Sequence, residues 1–282
     1  MKERGLIFSA PMAAANMADR KTMTRRMRGL EHLNKNPDLW QGCITKIETP
    51  RRTFYRIPGH PVFSCPFGKV GDLIWMRETW GRLQDSDGAG FLYRADFPEE
   101  KAFALLKWRP SIHMPRIACR FVAQLVSIKL ERLLDITPED VKKEGIVCIS
   151  KDGLTSKWGV CDIDGTPGGM GWEWEMFNVD PKAAFVQLFS QIHGEEIEML
   201  NPWVWVLEYK RLQHKTTWKI YDERYLVDEY SAHCYEVCQS EQEAKNAIKE
   251  WSGAIAVLAH SYRVGNGENS YFLEYKSKPV QL

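Results

Sequence analysis

Long apolar runs are absent from this chain. None approaches the ~20 residues that a membrane-spanning helix needs, and the first residues contain no continuous apolar segment of the secretory type. An excess of one charge is absent too, since 38 Lys and Arg balance 37 Asp and Glu to a net charge of +1. The sequence therefore predicts a cytoplasmic protein with no membrane partner, in which any affinity for nucleic acid must come from a local basic patch.

Closely paired cysteines are also scarce. The chain has seven cysteines, an odd number, and most lie far apart, which is typical of reduced thiols rather than of a disulfide framework. The spacing of Cys43, His60 and Cys65 matches no standard zinc site, and Cys234 with Cys238 lacks a second pair. We therefore expect no metal and no other cofactor.

The 282 residues suffice for one large domain or two smaller ones, with 44% hydrophobic and 27% charged residues. Residues 213–282 contain 8 Lys and Arg against 10 Asp and Glu, a balance of −2, which leaves +3 for residues 1–212. Basic character is thus concentrated in the first 212 residues.

The densest basic stretch is the heptapeptide RKTMTRR at 20–26, which has four cations and two hydroxyls. An apolar run at 6–8 predicts a strand and residues 11–18 predict a short helix, so the basic run leaves a helix and enters an extended segment. A regular strand would point Lys21 and Thr24 to opposite faces, whereas a bent entry would let them converge. Two readings stay open: a solvated basic loop, or a pocket that binds an anion.

Five prolines make residues 29–67 look like an irregular basic surface insertion, and a Gly- and Trp-rich stretch indicates a second insertion at about 147–180. Between them, residues 73–80 predict a strand with a hairpin partner at 91–93, across a turn at 85–90. A long alternating strand at 117–130 is typical of a barrel-like sheet.

Charged residues in this central part need partners. Arg77 and Glu78 adjoin in a strand but face opposite ways, so each requires its own partner. The proline-bracketed loop 108–116 mixes an aromatic ring, arginines, a hydroxyl and an imidazole. We interpret this loop either as a ligand- or phosphate-contacting element or as a structural crossover.

A strong helix start follows, because Thr137 can cap the helix, Pro138 suits its first position and Asp140 completes a capping box. Gly145 should end this helix, which leaves Glu144 in its last turn. The helix dipole disfavours an anion there by a few tenths of a kcal/mol or more. Glu144 therefore needs a cation or lies in solvent.

The remainder predicts a helix from residue 181 with an apolar stripe at 185, 188, 189 and 192, and then a strand at 203–209. Residues 213–282 predict a small α+β domain with a helix at 240–251.

Several motifs in one order resemble the ASCH family of small β-barrels related to the PUA domain, in its phage- and prophage-encoded branch. The motifs are Arg20-Lys21-Thr22 with Thr24-Arg25-Arg26, Cys65-Pro66, Gly71-Asp72, Trp75 with Arg77-Glu78-Thr79-Trp80, Trp108-Arg109-Pro110-Ser111 with His113-Met114-Pro115-Arg116, and Asn201-Pro202-Trp203. The resemblance covers residues 4–212 and implies an α+β fold with a PUA-like barrel, flanking helices and the two insertions. One departure is Asp19, where the pattern usually has glycine.

The resemblance implies two kinds of function. PUA-like barrels bind RNA, and one small bacterial family member removes the acetyl group from N(4)-acetylcytidine with a lysine, a threonine and a helix glutamate. Lys21, Thr24 and Glu144 match these positions, and Lys21 would then be the cation that Glu144 needs. The expected binding residues are Arg20, Arg25, Arg26, Arg77, Glu78, Trp80, Arg109, Ser111, His113 and Arg116.

We therefore expect a protein that binds RNA, single-stranded nucleic acid or a modified nucleoside, or alternatively an amidohydrolase with a threonine nucleophile. A third alternative is a phage assembly or accessory protein.

Overall fold

The computed structural model describes residues 1–49, 52–82, 91–97, 107–222, 234–238, 254–264 and 271–276. The fold is a mixed α+β arrangement with a mostly sheet core and few helices. The helices are α1 (Ala10–Met17), α2 (Glu31–Asn34), α3 (Pro138–Lys143), α4 (Pro181–His193) and α5 (Ile197–Leu200). The strands are β1 (Glu3–Ile7), β2 (Met23–Arg26), β3 (Thr45–Glu48), β4 (Thr53–Arg56), β5 (Leu73–Arg77), β6 (Trp80–Arg82), β7 (Phe91–Tyr93), β8 (Val122–Arg132), β9 (Val147–Ser150), β10 (Ser156–Gly159), β11 (Trp203–Arg211), β12 (Gln213–Asp222), β13 (Cys234–Cys238), β14 (Ala254–Val264) and β15 (Tyr271–Lys276).

The central sheet has five strands in the order β1-β5-β8-β11-β2. The pair β1–β5 is parallel and the other three pairs are antiparallel. Within the described residues this sheet is open, so the expected closed barrel is not observed. Its two edge strands nevertheless approach each other, because the Arg26 guanidinium at the end of β2 donates a 2.7 Å hydrogen bond to the Ile7 carbonyl at the end of β1.

The two predicted insertions differ from the expectation of irregular surface chain. Residues 29–67 form α2, a 3-10 turn and the β3–β4 hairpin, and residues 147–180 include the β9–β10 hairpin. Both contribute to the main core, to which the first adds Leu30, Leu33, Tyr55 and Ile57. The segments between the prolines are long enough to form short strands, and the apolar residues of these segments pack on the sheet rather than face water.

Most of the predicted elements are confirmed. The hairpin pair β6–β7, the capped helices α3 and α4 and the strand β11 lie where the sequence patterns place them. The long strand starts later than predicted, since a 3-10 turn occupies Arg116–Ala118 and β8 begins at Val122. In α4, Phe185 and Phe189 are buried as predicted. The prediction that Ile192 of the same stripe is buried is wrong, because 61% of its surface is exposed.

In the C-terminal part, the described strands form a four-stranded antiparallel sheet in the order β13-β12-β14-β15. The helix predicted at 240–251 and the turn predicted at 85–90 lie outside the described residues. The boundary at residue 212 stays a prediction.

Candidate functional site: a buried lysine–glutamate pair

A tight turn aims the basic run at the core. Helix α1 ends at Met17, and Asp19 adopts a left-handed conformation with φ of 55°, which an aspartate tolerates better than most residues. The backbone N–H groups of Arg20 and Lys21 both donate to the Ala15 carbonyl, at 2.9 and 3.1 Å. Asp19 thus makes the turn between α1 and the basic run.

The second half of the site is the C-terminal end of α3. The Thr137 hydroxyl accepts from the Asp140 N–H at 3.2 Å and caps the helix as predicted. Gly145, with φ of 92°, ends it. The Thr22 N–H donates to the Lys143 carbonyl at 2.8 Å, and a β-bridge joins Lys21 to Glu144. Backbone contacts therefore hold this helix end against the basic run.

The Lys21 amine and the Glu144 carboxylate form a buried ion pair. Lys21 Nζ donates to Glu144 Oε2 and to the Glu144 backbone carbonyl, each at 2.7 Å. The two side chains are 3% and 4% exposed. Lys21 is therefore the cation that Glu144 needs at the end of the helix, as the resemblance implied.

Arg25 extends the pair into a network of carboxylates. Its guanidinium donates to Glu144 Oε1 at 3.2 Å and to Asp140 Oδ2 at 2.7 Å, and it lies 3.5 Å from Glu131 Oε2. The Arg25 side chain is fully buried, whereas Asp140 and Glu131 are 21% and 27% exposed. Because three carboxylates occupy Arg25, it is not free in this structure to bind a phosphate as we expected from the sequence.

The electrostatics of the pair favour a chemically competent amine. Burial lowers the pKa of Lys21 below its ordinary value of 10.5; the Glu144 carboxylate opposes this shift, and the nearby Arg26 and Arg25 charges add to it. The net direction is downward, so the amine loses its proton more readily than a lysine in water. A desolvated lysine beside other cations is a recognised form of general base.

The third predicted catalytic residue, Thr24, is buried in β2 opposite Leu207 of β11. Side chains alternate along a strand, so Thr24 and Arg25 lie on opposite faces. Within the described residues, no hydrogen bond joins the Thr24 hydroxyl to Lys21 or Glu144. The structure thus brings two of the three residues into contact and places Thr24 in the adjoining strand.

Two residues that the sequence did not single out lie beside this site. The Tyr209 hydroxyl donates to Asn16 Oδ1 at 2.8 Å, and Asn16 donates in turn to the Met76 sulfur at 3.6 Å. Burial raises the pKa of Tyr209 well above 10, and the Glu144 charge raises it further. The available signal was an asparagine directly after three alanines in a predicted short helix, since a buried amide needs partners.

The remaining predicted binding residues are spread along the sheet. Arg20 donates to the Asp162 carbonyl at 2.9 Å, and Arg116 binds Glu3 at 2.7 Å. Glu78 is fully buried in a bidentate pair with Arg120, both contacts being 2.9 Å long. These four contacts are internal, and they explain the charges structurally.

The loop at 108–116 is more open. Arg109 lies over the ring of buried Trp80 at 5.2 Å, and Ser111 and His113 belong to an exposed 3-10 turn. Arg77 donates to the Ile112 carbonyl of this turn and lies 5.4 Å from the Trp75 ring.

The two groups of residues meet at the end of β1. Arg26 lies 5.0 Å from the Phe8 ring, and the Phe8 N–H donates to the Arg77 carbonyl at 2.9 Å. Arg26, Phe8 and Arg77 therefore link the basic run to the loop at 108–116.

Comparisons with models of protein families, with curated proteins and with solved structures returned no match. In the part of the chain that the structure describes, no helix is long and apolar enough to cross a membrane. No group of three or more His, Cys, Asp or Glu side chains is placed there to hold a metal ion.

Proposed function

We propose that this protein is an amidohydrolase that removes an acyl group from the exocyclic amine of a cytosine nucleoside. The observation that supports this proposal is the direct 2.7 Å contact between the buried Lys21 amine and the Glu144 carboxylate. An ion pair shielded from water costs desolvation energy, which makes it weak evidence for stability and a reason to look for a chemical task.

The proposed reaction uses the pair as an acid–base relay. Among the residues that the structure describes, the Thr24 hydroxyl makes no hydrogen bond to Lys21, so the proposed step requires the two groups to meet when substrate binds. The Thr24 oxygen then attacks the acyl carbon while its proton passes to the neutral Lys21 amine. Lys21 hands this proton across its hydrogen bond to Glu144, which delivers it to the departing nitrogen as the C–N bond breaks. Water then hydrolyses the threonine ester, releasing the carboxylic acid and restoring the hydroxyl.

The surroundings of the pair favour an uncharged substrate. Exposure increases outward from Lys21 to Asp140 and Glu131, so solvent reaches the cluster on the side of these two carboxylates. On this partly exposed side Asp140 and Glu131 repel phosphate, whereas a nucleoside has no charge to repel. We therefore assign a free nucleoside rather than a polynucleotide to this site.

Incubation of the purified protein with N(4)-acetylcytidine, followed by chromatography of cytidine, tests the proposal. We expect release by the wild type and by Thr24→Ser, and loss of at least a hundredfold in rate in Lys21→Ala and Thr24→Val, the loss typical of a missing acid–base group. Lys143→Ala is the matched control, since this lysine adjoins Glu144 at the end of α3 but pairs with Glu208 at 2.7 Å. Absence of release across a panel of acylated nucleosides would contradict the proposal.

A second candidate function is binding of RNA or single-stranded nucleic acid at the 108–116 loop. The supporting observation is a set of arginine–tryptophan stacks, in which Arg77 and Arg116 approach the Trp75 ring at 5.4 and 5.6 Å and Arg109 approaches Trp80. Such stacks present cationic planes on which a base can pack. Affinity should then fall with salt with a logarithmic slope of about −0.7 per phosphate, and Arg109→Ala should weaken it.

We also propose a relationship to PUA-like barrels and a cytoplasmic location. The approach of β2 to β1 through Arg26 and Ile7 supports the first, because it curls the open sheet toward closure. The free thiols of the described cysteines support the second.

A further inference from the structure

A cleft lies at the start of β1, away from Ile7 and its contact with Arg26. Its volume is about 460 Å³, and a hollow of about 230 Å³ adjoins it and shares Arg52 and Lys69 in its wall. The cleft is formed where the start of β1, the β3–β4 hairpin and the turn before β5 meet. Four basic side chains line it: Lys2, Arg4, Arg52 and Lys69.

The charge of this cleft is strongly positive. One carboxylate, Asp72, lines it against the four cations, for a side-chain balance of +3. Asp72 is buried, and its two oxygens accept the backbone N–H groups of Lys2 and Lys69, at 2.9 and 3.1 Å. Within the described residues, none of the four cations forms an ion pair. Unpaired cations that converge on one hollow are an arrangement that attracts an anion.

Arg52 and Phe54 give the cleft a fixed wall. The Arg52 guanidinium donates to the Cys65 carbonyl at 2.6 Å, which anchors the side chain. Its Nε is buried with no hydrogen-bond partner in the described part of the chain. A planar guanidinium presents several donors in a fixed fork that matches phosphate, and the half-buried Phe54 ring adds an aromatic surface.

We propose that this cleft binds the phosphate of a nucleotide or of a single-stranded nucleic acid, with the base on Phe54. Phe8, which contacts Arg26, is six residue steps of extended chain from Lys2, about 20 Å at ~3.3 Å per residue. The described residues that line the cleft include none of the lysine–glutamate network, so the two sites are distinct. The inference goes beyond the proposed hydrolysis and does not depend on it.

Fluorescence anisotropy with a labelled ten-nucleotide oligocytidine, and competition by cytidine 5′-monophosphate, test this inference on the full chain. The double variant Arg4→Glu/Lys69→Glu reverses two exposed charges of the cleft, and Lys35→Glu/Lys210→Glu is the matched surface control. We expect binding at least about tenfold weaker and a salt slope smaller by about 1.4 in the cleft variant, and wild-type values in the control. Competition by the mononucleotide would show that a single nucleotide suffices as the ligand of the cleft. Binding of the oligonucleotide without such competition would show that the ligand is a single strand.

Equal weakening in both double variants, or no binding of either probe by the wild type, would overturn the inference. Hydrolysis of uncharged N(4)-acetylcytidine separates it from the proposed function: the cleft variant should keep that activity in full. Thermal denaturation of both double variants shows whether the exposed substitutions leave the fold intact.

Discussion

The lysine–glutamate pair makes a strong prediction about stability. Removing one member of a buried ion pair costs about 3–5 kcal/mol, because the other charge stays in a low-dielectric site without its partner. The single variants Lys21→Met and Glu144→Gln should differ in their loss of stability. Lys21→Met leaves Glu144 bound to Arg25 at 3.2 Å, so its cost should lie near 3 kcal/mol. Glu144→Gln leaves the Lys21 ammonium with only neutral acceptors.

Lys21 can escape that penalty by losing its proton, which makes the stability of Glu144→Gln depend on pH. The carboxylate that raises the pKa of Lys21 is gone, so burial and the two arginines lower this pKa further. Between the folded pKa and 10.5, the unfolded chain binds one proton more than the folded chain, so stability rises with pH. The slope attributable to Lys21 is at most about 1.4 kcal/mol per pH unit, and its window extends lower in the variant than in the wild type.

The free energies of unfolding and their pH slopes are measured by urea denaturation at pH 6, 7, 8 and 9. The proteins compared are the wild type, both single variants and Lys21→Met/Glu144→Gln. The double variant removes both charges, so we expect a coupling energy of about 2 kcal/mol or more in the cycle. A coupling energy below about 0.5 kcal/mol, or identical pH slopes for the wild type and Glu144→Gln, would refute the reasoning.

Two further predictions concern the surroundings of the pair and the core. Gly145→Ala should destabilise the fold by about 1–3 kcal/mol, because its φ of 92° is left-handed and a new Cβ would lie 3.1 Å from the Lys21 Cβ. The control Gly153→Ala, with φ of 72° and open space around it, should show only the backbone cost. Equal losses of stability in thermal denaturation would disprove the crowding at Gly145. Arg120→Met should cost about 3–5 kcal/mol at pH 7 by leaving Glu78 buried and unpaired. Burial already raises the pKa of Glu78 above 4.5, so this loss should shrink as the pH falls toward 4.5 and Glu78 becomes neutral; a loss independent of pH in urea titrations would contradict it.

Local rules predicted the elements of this fold better than their assembly. Caps and stop signals such as Thr137 and Gly145 act over a few residues, and they placed α3 within one residue. The dipole argument indicated that Glu144 needs a cation unless it lies in solvent, and the resemblance then implied that this cation is Lys21.

The assembly depends on register and side-chain reach, which short-range patterns do not encode. The capture of Arg25 by Asp140 and Glu131 requires β2, β8 and α3 to meet, and sequence spacing gives no measure of that. The same holds for Glu78, whose partner Arg120 lies 42 residues away. The closed barrel failed as a prediction for this reason: alternation indicates strands, but closure depends on how edges meet.

The contact between Arg26 and the Ile7 carbonyl has a consequence for self-association. A strand at the border of a sheet offers a row of free carbonyls and amides to any other extended chain, including a second molecule of the same kind. By occupying one of these carbonyls with a bulky cation, the protein interrupts the row at the point where the two borders approach. Strand exchange between copies through this end of β1 would first have to displace the arginine.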